Sequence, residues 1–263
     1  MATILDTIAL ATKERVVESK RKIDLATMIR MADEIEGKND FPFYQGLAKE
    51  GMSFICECKK ASPSKGLIAP DFPYVQIAKE YEAAGASCIS VLTEPKWFLG
   101  SNQYLKEITE AVSIPCIRKD FTVDEYMIYE AKTLNASAVL LICAILSKEQ
   151  LKEYHEIATN LGLSAIVETH DEQEMEMAIE CGARIVGVNN RNLKDFSVDV
   201  GNSKRLRDMA PKDMIFVAES GIKTREDVAE LEEAGVDAVL VGETLMKAED
   251  KKAMLNYLKG IEL

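Results

Sequence analysis

Glu57 and Lys59 close the apolar run Met52–Lys59, and their spacing puts both side chains, with Ile55, on one face of an extended segment. Cys56, Cys58 and Lys60 take the other face. A carboxylate and an ammonium group are costly to take out of water without a partner or ligand, so a strand aiming both into one cavity marks them for use. Behind them runs Ser62-Pro63-Ser64-Lys65-Gly66, a turn-forming stretch rich in hydroxyl and amino donors, of the kind that receives an anion.

Other apolar runs end on chemistry-bearing residues too. Lys119 closes Ile114–Lys119; a desolvated lysine at a cavity rim can act as an acid, while the local sequence equally fits an exposed one. Glu168 closes Ser164–Glu168 and suits a base or a plain lysine partner. Asn189 and Arg191 could hold a hydroxyl and a carboxylate, although Asn-Asn-Arg-Asn is also ordinary loop chemistry. Glu219-Ser220-Gly221 and Gly242-Glu243 each follow an apolar strand and precede a helical pattern. Glycine lets the backbone approach a ligand and free helix-start amides bind phosphate, so Ser220, Gly221, Gly242 and Glu243 read as a phosphate site. Phe98 and Phe121 fall in loops, where they stack on an aromatic ligand or cover the core. The two histidines, His155 and His170, have no nucleophile constellation beside them and are set aside from catalysis.

The elements that must position these residues are legible in a repeat. Four segments end a helix on Gly85, Asn135, Gly182 or Gly235 and enter the apolar runs Ser87–Leu92, Ser137–Ile142, Arg184–Val188 and Asp237–Val241. They recur about every 50 residues, the length of two strand-helix units. With Met52–Lys59, Ile114–Lys119, Ser164–Glu168 and Met214–Ala218 between them, eight strands result. Near-continuous apolar runs suit parallel strands buried on both faces, and Ser147–Leu161 and Lys223–Glu233 suit covering helices. The fold expected is α/β, a single (β/α)8 TIM barrel at 49–263, with an open doubly wound sheet as runner-up. Residues 1–48 form an N-terminal helical extension, with Thr7–Ile35 as one or two helices covering the barrel floor or edge. In such barrels the C-terminal strand ends form the active site, which gathers Glu57, Lys59, Lys119, Glu168, Asn189 and Glu219.

Composition narrows the class. A net charge of −12 over 263 residues excludes nucleic acid as a partner, since backbone binding needs a basic surface. No apolar stretch approaches the ~18 residues of a membrane helix, and the N-terminus lacks a secretory pattern, so a cytoplasmic protein is expected. The end at Leu263 leaves no room for a fused second enzyme. Six cysteines fall in or beside apolar runs without a C-x-x-C pair, which reads as reduced core thiols and not a metal site.

Several ordered motifs, in register over nearly the whole chain, resemble the indole-3-glycerol phosphate synthases. They are Glu57-Cys58-Lys59-Lys60-Ala61-Ser62-Pro63-Ser64, Ser90-Val91-Leu92-Thr93-Glu94, Phe98-Leu99-Gly100-Ser101, Arg118-Lys119-Asp120-Phe121, Val186-Gly187-Val188-Asn189-Asn190-Arg191 and Glu219-Ser220-Gly221-Ile222. The resemblance implies a carboxy-lyase of tryptophan biosynthesis that closes the indole ring of 1-(2-carboxyphenylamino)-1-deoxyribulose 5-phosphate, releasing carbon dioxide and water without metal or cofactor. It implies Lys119 as general acid, Glu168 as the later base, Glu57 and Asn189 as holders of reacting hydroxyls, and Lys59 near the carboxylate. Glu219 and Ser220 join that catalytic set. Ser62, Pro63, Phe98, Phe121 and Arg191 are expected around the carboxyphenyl ring and its carboxylate, under a mobile lid formed by Ser62–Gly66. Ser220, Gly221, Gly242 and Glu243 are expected on the phosphate, Glu243 through its backbone amide. A monomer or weak homo-oligomer, associating with other tryptophan-pathway enzymes, is expected. Two rivals remain at this level, a phosphoribosyl isomerase barrel and a catalytically silent barrel.

Overall fold

In the computed structural model of the chain, which describes residues 3–35, 40–192 and 196–261, the four helix-ending turns adopt the backbone they require. Gly85, Asn135, Gly182 and Gly235 have φ of 79°, 63°, 80° and 77°. That left-handed conformation lets the next amide close back onto the helix, as in Ala86 to Tyr81 O and Ala136 to Ala131 O, both 3.0 Å. Gly162, at φ 72°, makes the same turn between two of the repeats, where the 50-residue spacing does not anticipate it. Met1, Ala2 and Leu263, on which the readings of the chain ends partly rest, lie outside the described residues.

The barrel strands are β1 Ser53–Cys58, β2 Cys88–Leu92, β3 Cys116–Lys119, β4 Ala138–Ile142, β5 Ser164–Thr169, β6 Ile185–Asn189, β7 Ile215–Glu219 and β8 Ala238–Val241, and the five turns feed β2, β4, β5, β6 and β8. These limits fall within one or two residues of those read from the sequence. All eight pair in parallel with their neighbours, and β1 pairs with both β2 and β8, so the sheet closes into a barrel. The alternation at β1 holds. Ile55 packs in the barrel interior with Ile117, Ile166, Val217 and Leu240, while Cys56 and Cys58 face the surrounding helices. Burial pushes the Cys56 thiol up to about 12, and all six cysteines are free, so these are inert core thiols.

Among the described residues three helices precede β1: α1 Ile4–Lys22, α2 Leu25–Asp33 and α3 Pro42–Leu47. The floor-or-edge location expected for Thr7–Ile35 holds for α2 and not for α1; α3 lies outside that range. Phe43 and Leu47 of α3 plug the interior at the N-terminal end, where Gly46 lies against Ser87 and Pro115 at the strand starts. The edge helix α2 packs on the outer helix Tyr126–Thr133. Leu5 and Ile8 of α1 instead cover the interior at the C-terminal mouth. What draws α1 there is long-range: Arg15 reaches Asp120 at 2.7 Å and the Thr93 carbonyl at 3.4 Å, both at strand ends. Among the described residues no helix is long and apolar enough to cross a membrane.

Candidate active site

Parallel register brings the strand ends level. Leu92 stands beside Lys119, Ile142 beside Glu168, and Asn189 beside Glu219, so the three charged groups reach the same height in the barrel. Lys119 Nζ then lies 2.5 Å from Glu219 Oε2 and 3.1 Å from Glu168 Oε2. Across the mouth, Lys59 Nζ pairs with Glu57 Oε1 at 2.6 Å, and Ser90 donates to Glu57 Oε2 at 3.0 Å. Lys59 sits one residue beyond β1 and still turns inward with Glu57.

These contacts set the charges. Burial works against the Lys119 charge, but Glu219, Glu168 and Glu57 hold its pKa well above the usual lysine range. Burial also opposes ionisation of Glu168; Lys119, His170 and the Asn189 amide, which donates at 3.3 Å, hold it below the usual carboxylate range. Glu219 is the reverse. Burial dominates, and with Glu168 as a like charge it pushes the Glu219 carboxyl up to about 7 despite Lys119. Glu219 Oε1 is buried without a hydrogen bond, pressed against Gly187, where an added Cβ would meet it at 2.4 Å. A protonated carboxyl tolerates that position better than a carboxylate, in keeping with the upward shift.

Two glycines are thus fixed by the charged cluster. Gly187 makes room for Glu219, and a Cβ at Gly242 would meet Glu57 Oε1 at 2.5 Å and Lys59 Nζ at 2.8 Å. The sequence suggests Gly242 for phosphate approach; its position also spares the ion pair. Ser220 and Gly221 are consecutive left-handed residues, at φ 68° and 89°. Asn190, buried behind them, donates to the Ser220 carbonyl at 3.2 Å while accepting from Ser203, which fixes the turn. Glu243 opens the helix Glu243–Lys247, whose N-terminus has no side-chain cap. Its carboxylate turns to Lys247 at 2.7 Å and Lys65 at 3.9 Å, so its charge is met by cations.

Between these groups lies a cavity of about 620 Å³. Every site residue read from the sequence borders it: Glu57, Lys59, Ser62, Pro63, Phe98, Lys119, Phe121, Glu168, Asn189, Arg191, Glu219, Ser220, Gly221, Gly242 and Glu243. The Phe98 and Phe121 rings lie 6.1 Å apart on one wall. Arg191 donates its amide to Asn189 Oδ1 at 3.0 Å and its guanidinium to the Phe196 carbonyl at 3.3 Å. The loop after β1 closes as a small hairpin, Ala61–Ser62 against Gly66–Leu67, with Ser62 buried.

Four supports gain their role only from the structure, although the sequence already places Glu94 at a strand end and leaves His170 on the surface or behind the site. Buried Glu94 accepts the amides of Lys96, Trp97 and Phe98 at 2.9, 2.7 and 3.0 Å and so aims the Phe98 loop. Asp120, bonded by Arg15, by Thr93 at 2.6 Å and by the Phe121 amide at 2.8 Å, braces the segment carrying Lys119 and Phe121. Ile4, Leu5 and Ile8 of α1 add an apolar wall. His170 stands directly beside Glu168, its Nε2 3.5 Å from Glu168 Oε1. Only Glu94 had a local signal, a carboxylate followed by a turn; the others depend on residues far away in the chain.

A closed parallel barrel whose mouth holds a buried lysine between two carboxylates, opposite a second carboxylate–lysine pair and above glycine turns suited to phosphate, defines a (β/α)8-barrel acid–base enzyme. The sequence model of the family described as indole-3-glycerol phosphate synthase matches residues 5–258. Indole-3-glycerol phosphate synthase of Ruminiclostridium cellulolyticum is 55% identical over 257 residues, 98% of this chain and 99% of that one. Its counterpart in Endomicrobium trichonymphae is 54% identical over 256 residues, 97% and 99% of the two chains. The chain belongs to the indole-3-glycerol phosphate synthase family, carboxy-lyases of tryptophan biosynthesis. Among solved structures, a thiamine phosphate pyrophosphorylase from Pyrococcus furiosus overlays with a TM-score of 0.61 at 18% identity, covering 83% of this chain and 96% of its own. A chain of the tryptophan synthase α2β2 complex from the same organism overlays with a TM-score of 0.60 at 15% identity, covering 81% and 99%. Those two likenesses concern the fold alone.

Proposed function

We propose that this chain converts 1-(2-carboxyphenylamino)-1-deoxyribulose 5-phosphate to indole-3-glycerol phosphate, carbon dioxide and water, with Lys119 as the acid of ring closure. The observation that carries the assignment of roles is the Lys119 ammonium held at once by Glu219 and Glu168 at the floor of one cavity. An acid must be charged and aimed before the reaction, and this lysine is both.

Lys119 gives its proton to the sugar carbonyl oxygen as the ring carbon attacks the carbonyl carbon. The carboxylate then leaves as carbon dioxide, its electrons restoring the ring. The new hydroxyl takes a second proton from the lysines of the site and departs as water, and Glu168, ionised in the resting site, takes the proton released from the adjoining methylene carbon. Glu57 and Asn189 hold the sugar hydroxyls, and Lys59 lies toward the carboxylate with Ser62 and Arg191. Glu219 fixes Lys119 in place, and the Ser220 turn supports the same region. Pro63, Phe98 and Phe121 enclose the ring, while Ser220, Gly221, Gly242 and the Glu243 amide take the phosphate. The proposal includes a cytoplasmic setting, an N-terminal extension over 1–48 serving a catalytic barrel over 49–263, and a monomer or weak homo-oligomer that associates with other enzymes of the pathway. It invokes neither metal nor organic cofactor.

Lys119→Ala tests the acid. Turnover, read as the fluorescent indole product, should fall roughly 10³-fold while substrate affinity changes by less than about threefold. An equal loss of affinity would make Lys119 a substrate anchor and overturn its role.

A further inference from the structure

Counting protons over the reaction leaves one unaccounted for. The substrate carboxylate is an anion and departs as neutral carbon dioxide, so each turnover consumes one proton. Lys119 supplies protons and Glu168 recovers one; the balance must come from solvent. The reaction cavity is a poor source while substrate fills it, since Lys119 and Glu168 side chains are only 13% and 5% exposed even without it.

A second cavity, of about 570 Å³, lies behind the wall formed by Asn189 and Arg191, which border both spaces. His170 and Glu174 line it, with Asp171, Asn202 and Arg205 further out. The imidazole spans the wall. Its Nδ1 is 3.0 Å from Glu174 Oε2, and its Nε2, buried without a hydrogen-bond partner, lies 3.5 Å from Glu168 Oε1, close but too poorly aligned to bond in this state. Glu174 is itself fixed, accepting the His170 amide at 2.8 Å through Oε2 and donating its own amide to Asp171 at 2.9 Å. Asn202 donates to the His170 carbonyl at 3.1 Å, which fixes the backbone that carries the ring.

We infer that His170 and Glu174 conduct the consumed proton from the second cavity to Glu168, which passes it to Lys119. The Nε2–H bond breaks as an O–H bond to Glu168 Oε1 forms; the carboxyl then turns, gives that same proton to the neutral Lys119 amine and is ionised again. The ring, left neutral and still carrying Nδ1–H, turns about its Cβ–Cγ bond and regains its Nε2 proton from solvent in the second cavity by way of the Glu174 carboxylate. The direction follows from the charges facing the ring. Burial disfavours the imidazolium, but the carboxylates facing it from Glu174, Glu168 and Glu219 raise its pKa above the ordinary value and favour a charged ring between Glu174 and Glu168. Once Lys119 has given up its charge, the main influence keeping Glu168 ionised is gone, and burial favours a protonated Glu168. His170 touches no substrate; it is a positioning and relay residue.

This inference rests on Glu168 exchanging protons with the reaction, and rapid-mixing kinetics separate the two. In His170→Asn, which keeps a hydrogen-bonding side chain without a transferable ring proton, the first turnover should run at the wild-type rate. Later turnovers should slow about tenfold, and added imidazole should restore them in this variant and in His170→Ala. Steady turnover at the wild-type rate, a first turnover slowed as much as later ones, or no response to imidazole would overturn the relay. In Glu168→Gln the first turnover itself should fail; if it does not, the role given to Glu168 is wrong whatever His170 does.

Discussion

Lys119 is charged because of what it touches, and Glu219 is the neighbour whose own charge is in play near neutrality. Folding moves the Glu219 carboxyl from its ordinary 4.5 to about 7. A raised carboxyl pKa favours the folded state fully below pH 4.5, and that contribution is lost as pH rises through 7. Thermal melts should therefore show wild type losing stability relative to Glu219→Gln between pH 4.5 and 7; a constant difference would contradict the assignment. Glu168, held below its ordinary pKa, contributes in the opposite sense, lost only as pH falls below 4.5. Ionised Glu219 also binds the Lys119 proton more tightly and weakens the acid. kcat should decline through an inflection near pH 7 that is absent in Glu219→Gln. The Glu57–Lys59 pair was legible in the sequence, since i and i+2 in a strand share a face. Which carboxylate meets Lys119 was not, because 49 and 100 residues separate it from Glu168 and Glu219.

Elements place these residues through small backbone accommodations and one long arm. Gly187, in the middle of β6, looks like a weak point of the strand, yet a methyl there would press Glu219 Oε1 at 2.4 Å and Ile166 at 2.8 Å. Gly187→Ala should cost about 1–3 kcal/mol in denaturant unfolding and lower kcat by displacing Glu219. Unchanged activity would mean that Glu219 is free to move. The arm is Arg15. Asp120 keeps Thr93 and an amide when Arg15 is removed, and the guanidinium side chain is 26% exposed, so Arg15→Ala should cost about 2 kcal/mol, less than a fully buried pair. Its KM should rise as α1 loosens over the mouth; a stable, kinetically normal variant would separate α1 from the site. The helix-ending turns and strand ends were readable because glycine, asparagine and apolar runs encode them locally. The seat of α1 at the mouth was not, since Arg15 and Asp120 meet only after the chain has crossed three strands' worth of sequence.

Taken whole, the molecule carries a charge of −12 and yet is proposed to bind a phosphorylated, carboxylated substrate. Lys59, Lys65, Lys119, Arg191, Lys223 and Lys247 border the reaction cavity together with Glu57, Asp120, Glu168, Glu219 and Glu243, so cations are far denser there than the net charge suggests, and Lys223 and Arg191 lack a carboxylate partner among the ion pairs of the described residues. Added salt screens such a field, and kcat/KM should fall roughly threefold or more between low and ~0.5 M ionic strength while kcat barely moves. A flat response would deny the lysines any part in capture. The barrel itself was legible from eight apolar runs and their turns, whereas the net charge gave no hint of the cationic mouth because composition averages over the surface. The account stands most directly on one assay. Purified chain, given 1-(2-carboxyphenylamino)-1-deoxyribulose 5-phosphate and chelator alone, should release a fluorescent indole product and carbon dioxide in equal amounts. A folded sample that binds the substrate and forms neither would contradict it.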